Sequence, residues 1–461
     1  MHAKALFSCL KEYISLPRTT LDSRVPCRPL GDRPYLNAMT EEARLALSEP
    51  ETFTDQAAVH QIFTELRRED PVAWCPEPDG GKGFWSITKY DDIQSISKNP
   101  KVFSSDRLLG GITLESADMR RRRQSLENAP KSEAGGGGSI ITSGSSMIMM
   151  DPPEHTQHRR MVAPGFTPGR LNALIPEIRT RCVEILDRIA GLGQCEFVST
   201  VAAELPIQML AELLGVEQED RKKLFEWSNI MIGGDDPDMR IGRDEVMAVF
   251  GELFQYALAL RESRQQQPGD DLLSMLVNTE VNGKPMELAD YVSAFILLVV
   301  AGNETTRNSI SGGVLALSEY PEERQKLVDD PSLIPNAVDE IIRWVAPVVY
   351  MRRTALEDTK VGDKIIKQGD RLALWYMSGN RDEDKWSDPF SFSVTRDGPR
   401  HLSFGYGQHL CIGWRLAEIQ LTVCLEELLK RFPDITVLGE VNRMRSNFLN
   451  SIKRMEVQYS G

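Results

Sequence analysis

The 461-residue sequence has few cysteines, and none of the seven stands at the close paired spacing of a disulfide framework or a zinc ribbon. Cys9, Cys27, Cys75, Cys182, Cys195, Cys411 and Cys424 are scattered, and the odd count leaves one over, which implies a reducing compartment. Basic residues are in deficit: 54 Lys and Arg against 67 Asp and Glu give a formal net charge of -13, which argues against nucleic acid as the main partner. Runs of about 20 apolar residues are missing as well. The apolar cluster at residues 5–10 stops at Lys11 and Glu12, and the stretch 294–301 runs straight into Gly302, Asn303 and Glu304. No membrane anchor is therefore expected, and the cytoplasm is the expected location. The glycine run at 135–138 has no clear strand before it and no Gly-Lys-Ser/Thr after it, so a mobile loop is a better reading than a phosphate cradle.

What is present is an ordinary globular composition, 41% hydrophobic and 26% charged, with helical periodicity dominant. Residues 1–35 mix basic residues with Pro17, Pro26, Pro29 and Pro34 and read as an irregular arm. A helix is expected at 56–68, strands at 71–74 and 83–88, and a helix at 91–98. Residues 103–150 are the least regular part, with Gly110-Gly111 and a basic run at 120–123, and read as a mobile loop. Residues 170–262 are mainly helical with breaks at 191–194 and 233–237, the second suggesting a lid over about 205–265. A long helix at 288–318, strand-like alternation at 351–354, 360–366 and 371–376 with turns marked by Gly362-Asp363 and Gly369-Asp370, and a helix at 415–430 complete the pattern. The fold class is mainly α with small β-sheets (α+β).

The chemistry concentrates at residues 401–413, His-Leu-Ser-Phe-Gly-Tyr-Gly-Gln-His-Leu-Cys-Ile-Gly. Gly405 and Gly407 permit tight turns that let amides face the Cys411 sulfur, Gly413 leaves room beside it, and the following helix puts Cys411 at a helix N-terminus, where an anionic sulfur is favoured. Taken alone, Cys411 would read as a small buried hydrophobe. The combination Phe404, Gly405, Gly407, His409, Cys411 and Gly413, in Phe-Gly-x-Gly-x-His-x-Cys-x-Gly, resembles the haem-thiolate signature of the cytochrome P450 superfamily, soluble bacterial type. A zinc site from His401, His409 and Cys411 lacks a fourth ligand, and Cys-x-x-Cys-His, the mark of covalent haem, is absent.

Other segments fall in the order this resemblance requires. His155 and Arg159, four apart after Asp151-Pro152-Pro153, share a helical face able to grip an anion; alone they would read as an exposed basic face. Ala301-Gly302-Asn303-Glu304-Thr305-Thr306 puts glycine and hydroxyls in mid-helix, where a kink can make room for a small molecule. Glu340 and Arg343 are three apart on a helix, a spacing common on solvated faces. The resemblance implies that Cys411 is the iron ligand, that His155, Arg159, Arg353 and His409 hold the propionates of haem b, and that Phe404 and Ala301 line the cofactor. It implies catalytic roles for Glu304 and Thr305, a structural network of Glu340, Arg343 and Arg396, and a substrate pocket walled by Leu298, Val349, Phe448 and Leu449.

The implied architecture is a single haem-thiolate domain over residues 36–461, with a long central helix over the haem and a Cys-bearing proximal loop. The implied activity is hydroxylation of a C–H bond in a hydrophobic small molecule, an alkane or fatty chain, terpene, aromatic or steroid, with O2 and two electrons. Those electrons would come from NAD(P)H through a separate ferredoxin-type donor and its reductase, and the expected state is a monomer. A haem-thiolate ligand or gas sensor, or a non-oxygenating isomerase or dehydratase, is the alternative, and the Glu304–Thr305 pair discriminates because a sensor does not require it.

Overall fold

In the computed structural model, which describes residues 41–117, 120–121, 146–281 and 284–460, the chain is organised by helices whose apolar stripes meet in a common core. The N-terminal arm, residues 122 and 123 of the basic run, and the glycine run at 135–138 lie outside the described residues. Helix α1 (Gln56–Glu69) starts at Asp55, whose side chain accepts from the Ala58 amide, and buries Val59, Phe63 and Leu66. Helix α2 (Tyr90–Ser97) follows the strand pair β1 (Val72–Cys75) and β2 (Phe84–Ile87), and the short β3 (Phe103–Ser104) follows α2. Further along lie α3 (Glu154–Val162), α4 (Ile175–Asp187), β4 (Gln194–Glu196), α5 (Glu204–Leu214), α6 (Arg221–Ile232), α7 (Arg243–Gln266) and α8 (Leu272–Asn278). The second half holds α9 (Leu288–Glu319), α10 (Pro321–Asp329), α11 (Ile334–Val345), β5 (Tyr350–Ala355), β6 (Arg371–Trp375), α12 (Trp414–Arg431), β7 (Thr436–Arg443) and β8 (Ile452–Gln458).

The strands form a five-stranded sheet in the order β1-β2-β6-β5-β3 and a three-stranded sheet β7-β8-β4. In the first, β2 runs parallel to β6 with Ser86 opposite Ala373, and β6 runs antiparallel to β5 with Ala373 opposite Arg352. Residues 360–366 fold as the hairpin Thr359–Val361 and Lys364–Ile366, with the turn at Gly362-Asp363 where the sequence marks it and Gly362 at φ +56°. Phe448 and Leu449 lie in the connection before β8, where Leu449 bridges to Val348.

Helix α9 is long and apolar enough to cross a membrane by length and composition. One side of it is packed in the core, with Tyr291, Phe295, Val299, Ile310, Val314 and Leu317 buried. The helix runs unbroken through Gly302, and the hydroxyls of Thr305 and Ser309 bond back to the carbonyls of Ala301 and Thr305 at 3.0 and 2.9 Å. Helix α11 repeats Ile334, Ala337, Val338, Ile341, Ile342 and Val345 along one stripe and presses it against α9. The approach is close enough to need glycine. A Cβ on Gly312 would lie 2.5 Å from Val345 Cγ2, and one on Gly313 3.0 Å from Ile341 Cγ2.

Gly312→Ala is therefore expected to lower stability by about 1–3 kcal/mol through overpacking, outweighing the roughly 1 kcal/mol that alanine gains in helix propensity. A urea midpoint that rises would contradict this packing.

Candidate functional site

The Cys411 loop is shaped by backbone close approach. Gly405 and Gly407 take φ of +72° and +69°, and a Cβ on Gly407 would sit 2.3 Å from the Ser97 carbonyl at the end of α2. Inside the turn, the Cys411 amide donates to the Phe404 carbonyl at 2.8 Å. Burial pushes the Cys411 thiol pKa up, while the Gly413 amide, the Arg159 and Arg400 charges and the Trp414 amide oppose it. The two amides belong to the free N-terminus of α12, whose unsatisfied N–H groups favour an anion or a metal-bound thiolate.

A buried ionic node holds this loop from behind. Glu340 accepts from Arg343 Nε at 2.6 Å and Nη2 at 2.8 Å, from Arg396 Nε at 2.9 Å and from the Ser393 amide at 3.0 Å. Arg343 Nη1 extends the node to the carbonyls of Asn380 and Pro389 at 2.8 and 3.1 Å. From there Asn380 reaches the loop itself: its Oδ1 accepts from the Leu402 amide at 2.7 Å, and its Nδ2 donates to Ser403 Oγ at 2.8 Å. Ser403 in turn donates to the Ile342 carbonyl of α11 at 2.7 Å. Asn380 and Ser403 were not singled out from sequence, because only burial reveals their role as polar bridges.

Basic groups gather in front of the loop. His155 and His409 stack with ring centroids 4.2 Å apart, and His155 Nδ1 and His409 Nε2 are buried without a hydrogen-bond partner. Burial, then the Arg159 charge, lowers the His155 pKa to about 4; burial, then Arg353, lowers that of His409 further. Arg353 is 3% exposed, and its described bond is to the Arg352 carbonyl at 2.8 Å. Among the described residues no carboxylate is paired with Arg159 or Arg353. His158, by contrast, turns to Asp290 of α9 at 3.3 Å. An anionic group bound here would satisfy these donors, and iron protoporphyrin IX, with two carboxylates and a metal that takes a thiolate, fits the set.

On α9, Ala301 and Thr305 are one turn apart and share a face that is left uncovered, whereas Val299, Asn303 and Glu304 are buried. Glu304 faces a different way from Thr305. Its Oε1 accepts from Arg307, from Asn308 Nδ2 at 3.0 Å and from Ser451 Oγ at 2.6 Å, while its Oε2 is buried without a partner. Arg307 also reaches Asn229 of α6 at 3.1 Å. Arg307, Asn308 and Ser451 are further partners that the sequence reading missed. Of the four expected pocket residues, Val349, Phe448 and Leu449 are neighbours, the Val349 amide donating to the Phe448 carbonyl at 2.9 Å. Leu298 instead lines a small cavity with Met147, Val162 and Ala294. Val349 is 0% exposed, and the adjacent Val348 is the half-buried one. Trp227 of the expected lid is core, its ring edge-to-face with Tyr256 at 5.3 Å.

Glu340→Ala strands two guanidiniums beneath the loop and is expected to cost about 3–5 kcal/mol of stability. The urea midpoint of the haem-loaded protein measures it, and an unchanged midpoint would show that the node contributes nothing.

Comparison with known proteins agrees with this arrangement. A sequence model described as Cytochrome P450 matches residues 194–457. Linalool 8-monooxygenase of Pseudomonas putida is 40% identical over 89% of this chain and 98% of its own length. The methyl-branched lipid omega-hydroxylase of Mycobacterium tuberculosis is 38% identical over 86% of this chain and 90% of its own. Among solved structures, cytochrome P450 CYP268A2 of Mycobacterium marinum, in complex with pseudoionone, superposes with a TM-score of 0.79 at 33% identity, covering 90% of this chain and 97% of that one. Over a shared fold and with relatives matched along nearly their whole length, the chain belongs to the cytochrome P450 superfamily and is one of its oxygen-incorporating oxidoreductases, a haem protein.

Proposed function

We propose that this enzyme hydroxylates a C–H bond on a methyl-branched, largely apolar chain, terpenoid or lipid, with Cys411 as the iron ligand. The observation that carries the reading is Cys411 at the N-terminus of α12, in a loop that also sets His409 against His155 near Arg159 and Arg353, two cations with no paired carboxylate among the described residues. In this reading His155, Arg159, Arg353 and His409 bind the haem propionates, and Phe404 and Ala301 border the macrocycle. The bound haem supplies oxygen activation for C–H hydroxylation.

The chain's own residues then bind, orient and move protons. Thr305 Oγ1, now bonded to the Ala301 carbonyl at 3.0 Å, holds a proton on the uncovered face of α9. Glu304 delivers protons through Oε2, since Oε1 is occupied by Arg307, Asn308 and Ser451. Glu340, Arg343 and Arg396 keep the sulfur in place. Apolar walls from Val348, Phe448 and Leu449, beside Val349, orient the chain and exclude water, so that geometry selects the carbon attacked. The substrate class rests on the relatives' names: linalool, a methyl-branched lipid and pseudoionone are all branched chains or carry them. Electrons come from NAD(P)H through a ferredoxin-type donor and its reductase, and the enzyme works as a cytoplasmic monomer.

Optical titration of the ferric protein with linalool, a methyl-branched fatty acid, an n-alkane and a steroid tests this reading. A Soret shift with the branched chains is expected at lower concentration than with the others. No shift with any of them, in protein with a normal haem spectrum, would refute the substrate class. Thr305→Ala is expected to reduce product formed per NADH by about tenfold or more while NADH consumption continues and peroxide accumulates. An unchanged product yield would remove Thr305 from the proton route.

A further inference from the structure

Strand β5 carries two faces of different use. Side chains alternate along a strand, so Tyr350, Arg352 and Thr354 point one way and Met351 and Arg353 the other. Arg353 belongs to the proposed propionate set. The opposite row grips a single segment, residues 107–114. Tyr350 Oη accepts from the Leu114 amide at 2.8 Å. Arg352 Nη1 donates to the carbonyls of Gly110 and Thr113 at 2.9 and 3.1 Å, and Nη2 donates to the Leu109 carbonyl and to Thr354 Oγ1 at 3.1 Å. Thr354 Oγ1 donates to the Leu109 carbonyl at 3.3 Å, and the Arg352 amide donates to the Ile112 carbonyl at 2.7 Å.

Arg352 is 6% exposed, and the bonds its guanidinium makes to the loop are all to backbone carbonyls. A buried cation is costly to desolvate, so such a position makes physical sense only where ordering those carbonyls is itself useful. The loop is built to admit it. Gly110 has φ of +98°, and a Cβ there would lie 2.4 Å from Arg352 Nη2. Outside the grip the loop exposes Leu108 and Leu109; inside it buries Ile112 and Leu114. Its inner end is fixed to Tyr350, whose ring meets Phe448 edge-on at 5.6 Å, and Ser116 Oγ reaches Asp235 in the α6–α7 connection at 2.5 Å. The segment thus joins the proposed pocket residue Phe448 to the helices of the expected lid.

We infer that Arg352 is a positioning residue for substrate selection: it clamps residues 107–114 against β5 so that Ile112 and Leu114 form a fixed wall of the substrate pocket, shaped to accept a branched chain in preference to a straight one. The inference rests on the proposed substrate pocket. Arg353 serves the cofactor and Arg352 the substrate, from adjacent positions on one strand.

The test uses holoenzyme of Arg352→Ala, Arg352→Lys and Gly110→Ala, the last displacing the guanidinium while leaving the arginine in place. Soret titrations with linalool and with 1-decanol, of equal carbon number, are read beside hydrogen exchange of residues 107–117. In Arg352→Ala and Gly110→Ala the Kd for linalool is expected to rise about tenfold, in line with the loss of charge-assisted hydrogen bonds, while that for 1-decanol changes less than about twofold. Exchange of the Leu114 amide accelerates, and Arg352→Lys lies between wild type and Arg352→Ala because an ammonium cannot span the separate carbonyls. Equal weakening for both alcohols would reduce Arg352 to a structural residue, and unchanged exchange at 107–117 would overturn the clamp. Wild-type protein blind to both alcohols would fail the substrate reading instead, while the exchange measurement still decides the clamp.

Discussion

Glu340 is the point on which the rest depends. A carboxylate 3% exposed is an expensive group to bury, and its desolvation is offset only because Arg343, Arg396 and the Ser393 amide together satisfy it. Those bonds do more than cancel a cost. Through Arg343 the node reaches the Asn380 carbonyl, and through the Asn380 amide group and Ser403 it fixes the backbone that leads into Phe404 and Cys411. A sulfur that must meet a metal at one distance cannot ride on a loop with several conformations. Charge buried in a fully bonded network has a single low-energy arrangement, and the loop inherits it.

The same logic runs in the opposite direction at the basic cluster. There the buried groups are incompletely satisfied: two histidine nitrogens have no partner, and burial suppresses the charge of both rings. A protein that leaves such atoms unpaired forfeits stability that an anionic ligand restores, which couples cofactor binding to folding. Helix α9 lies between the two regimes. Thr305 lies on its uncovered face, whereas Glu304 is held on another by Arg307, Asn308 and Ser451.

What could be read from the sequence was whatever local spacing encodes. The i,i+3 pair Glu340 and Arg343, the i,i+4 pair His155 and Arg159, and the glycines flanking Cys411 are each short-range patterns, and the helices follow from their 3.6-residue periodicity. Partners that meet only through the fold left no such trace. Ser451 lies 147 positions from Glu304, and Asn380 lies 23 from Ser403; neither carries a spacing signal. The pocket wall shows a finer failure. In an extended segment a one-residue offset reverses the face presented, so Val349 is enclosed while Val348 is half-buried. Arg352 was overlooked for the same reason, as the neighbour of an arginine with a recognised pattern.

The account stands on one bond, from Cys411 to the iron. The ferrous carbon monoxide spectrum of haem-loaded Cys411→His, beside that of the unaltered protein, tests it most directly. The unaltered protein should show the red-shifted Soret band of a thiolate ligand, and the variant should keep haem but lose that band. A variant that retained the thiolate band would mean that another cysteine holds the iron, and the loop, the node behind it and the basic cluster would then need a different explanation.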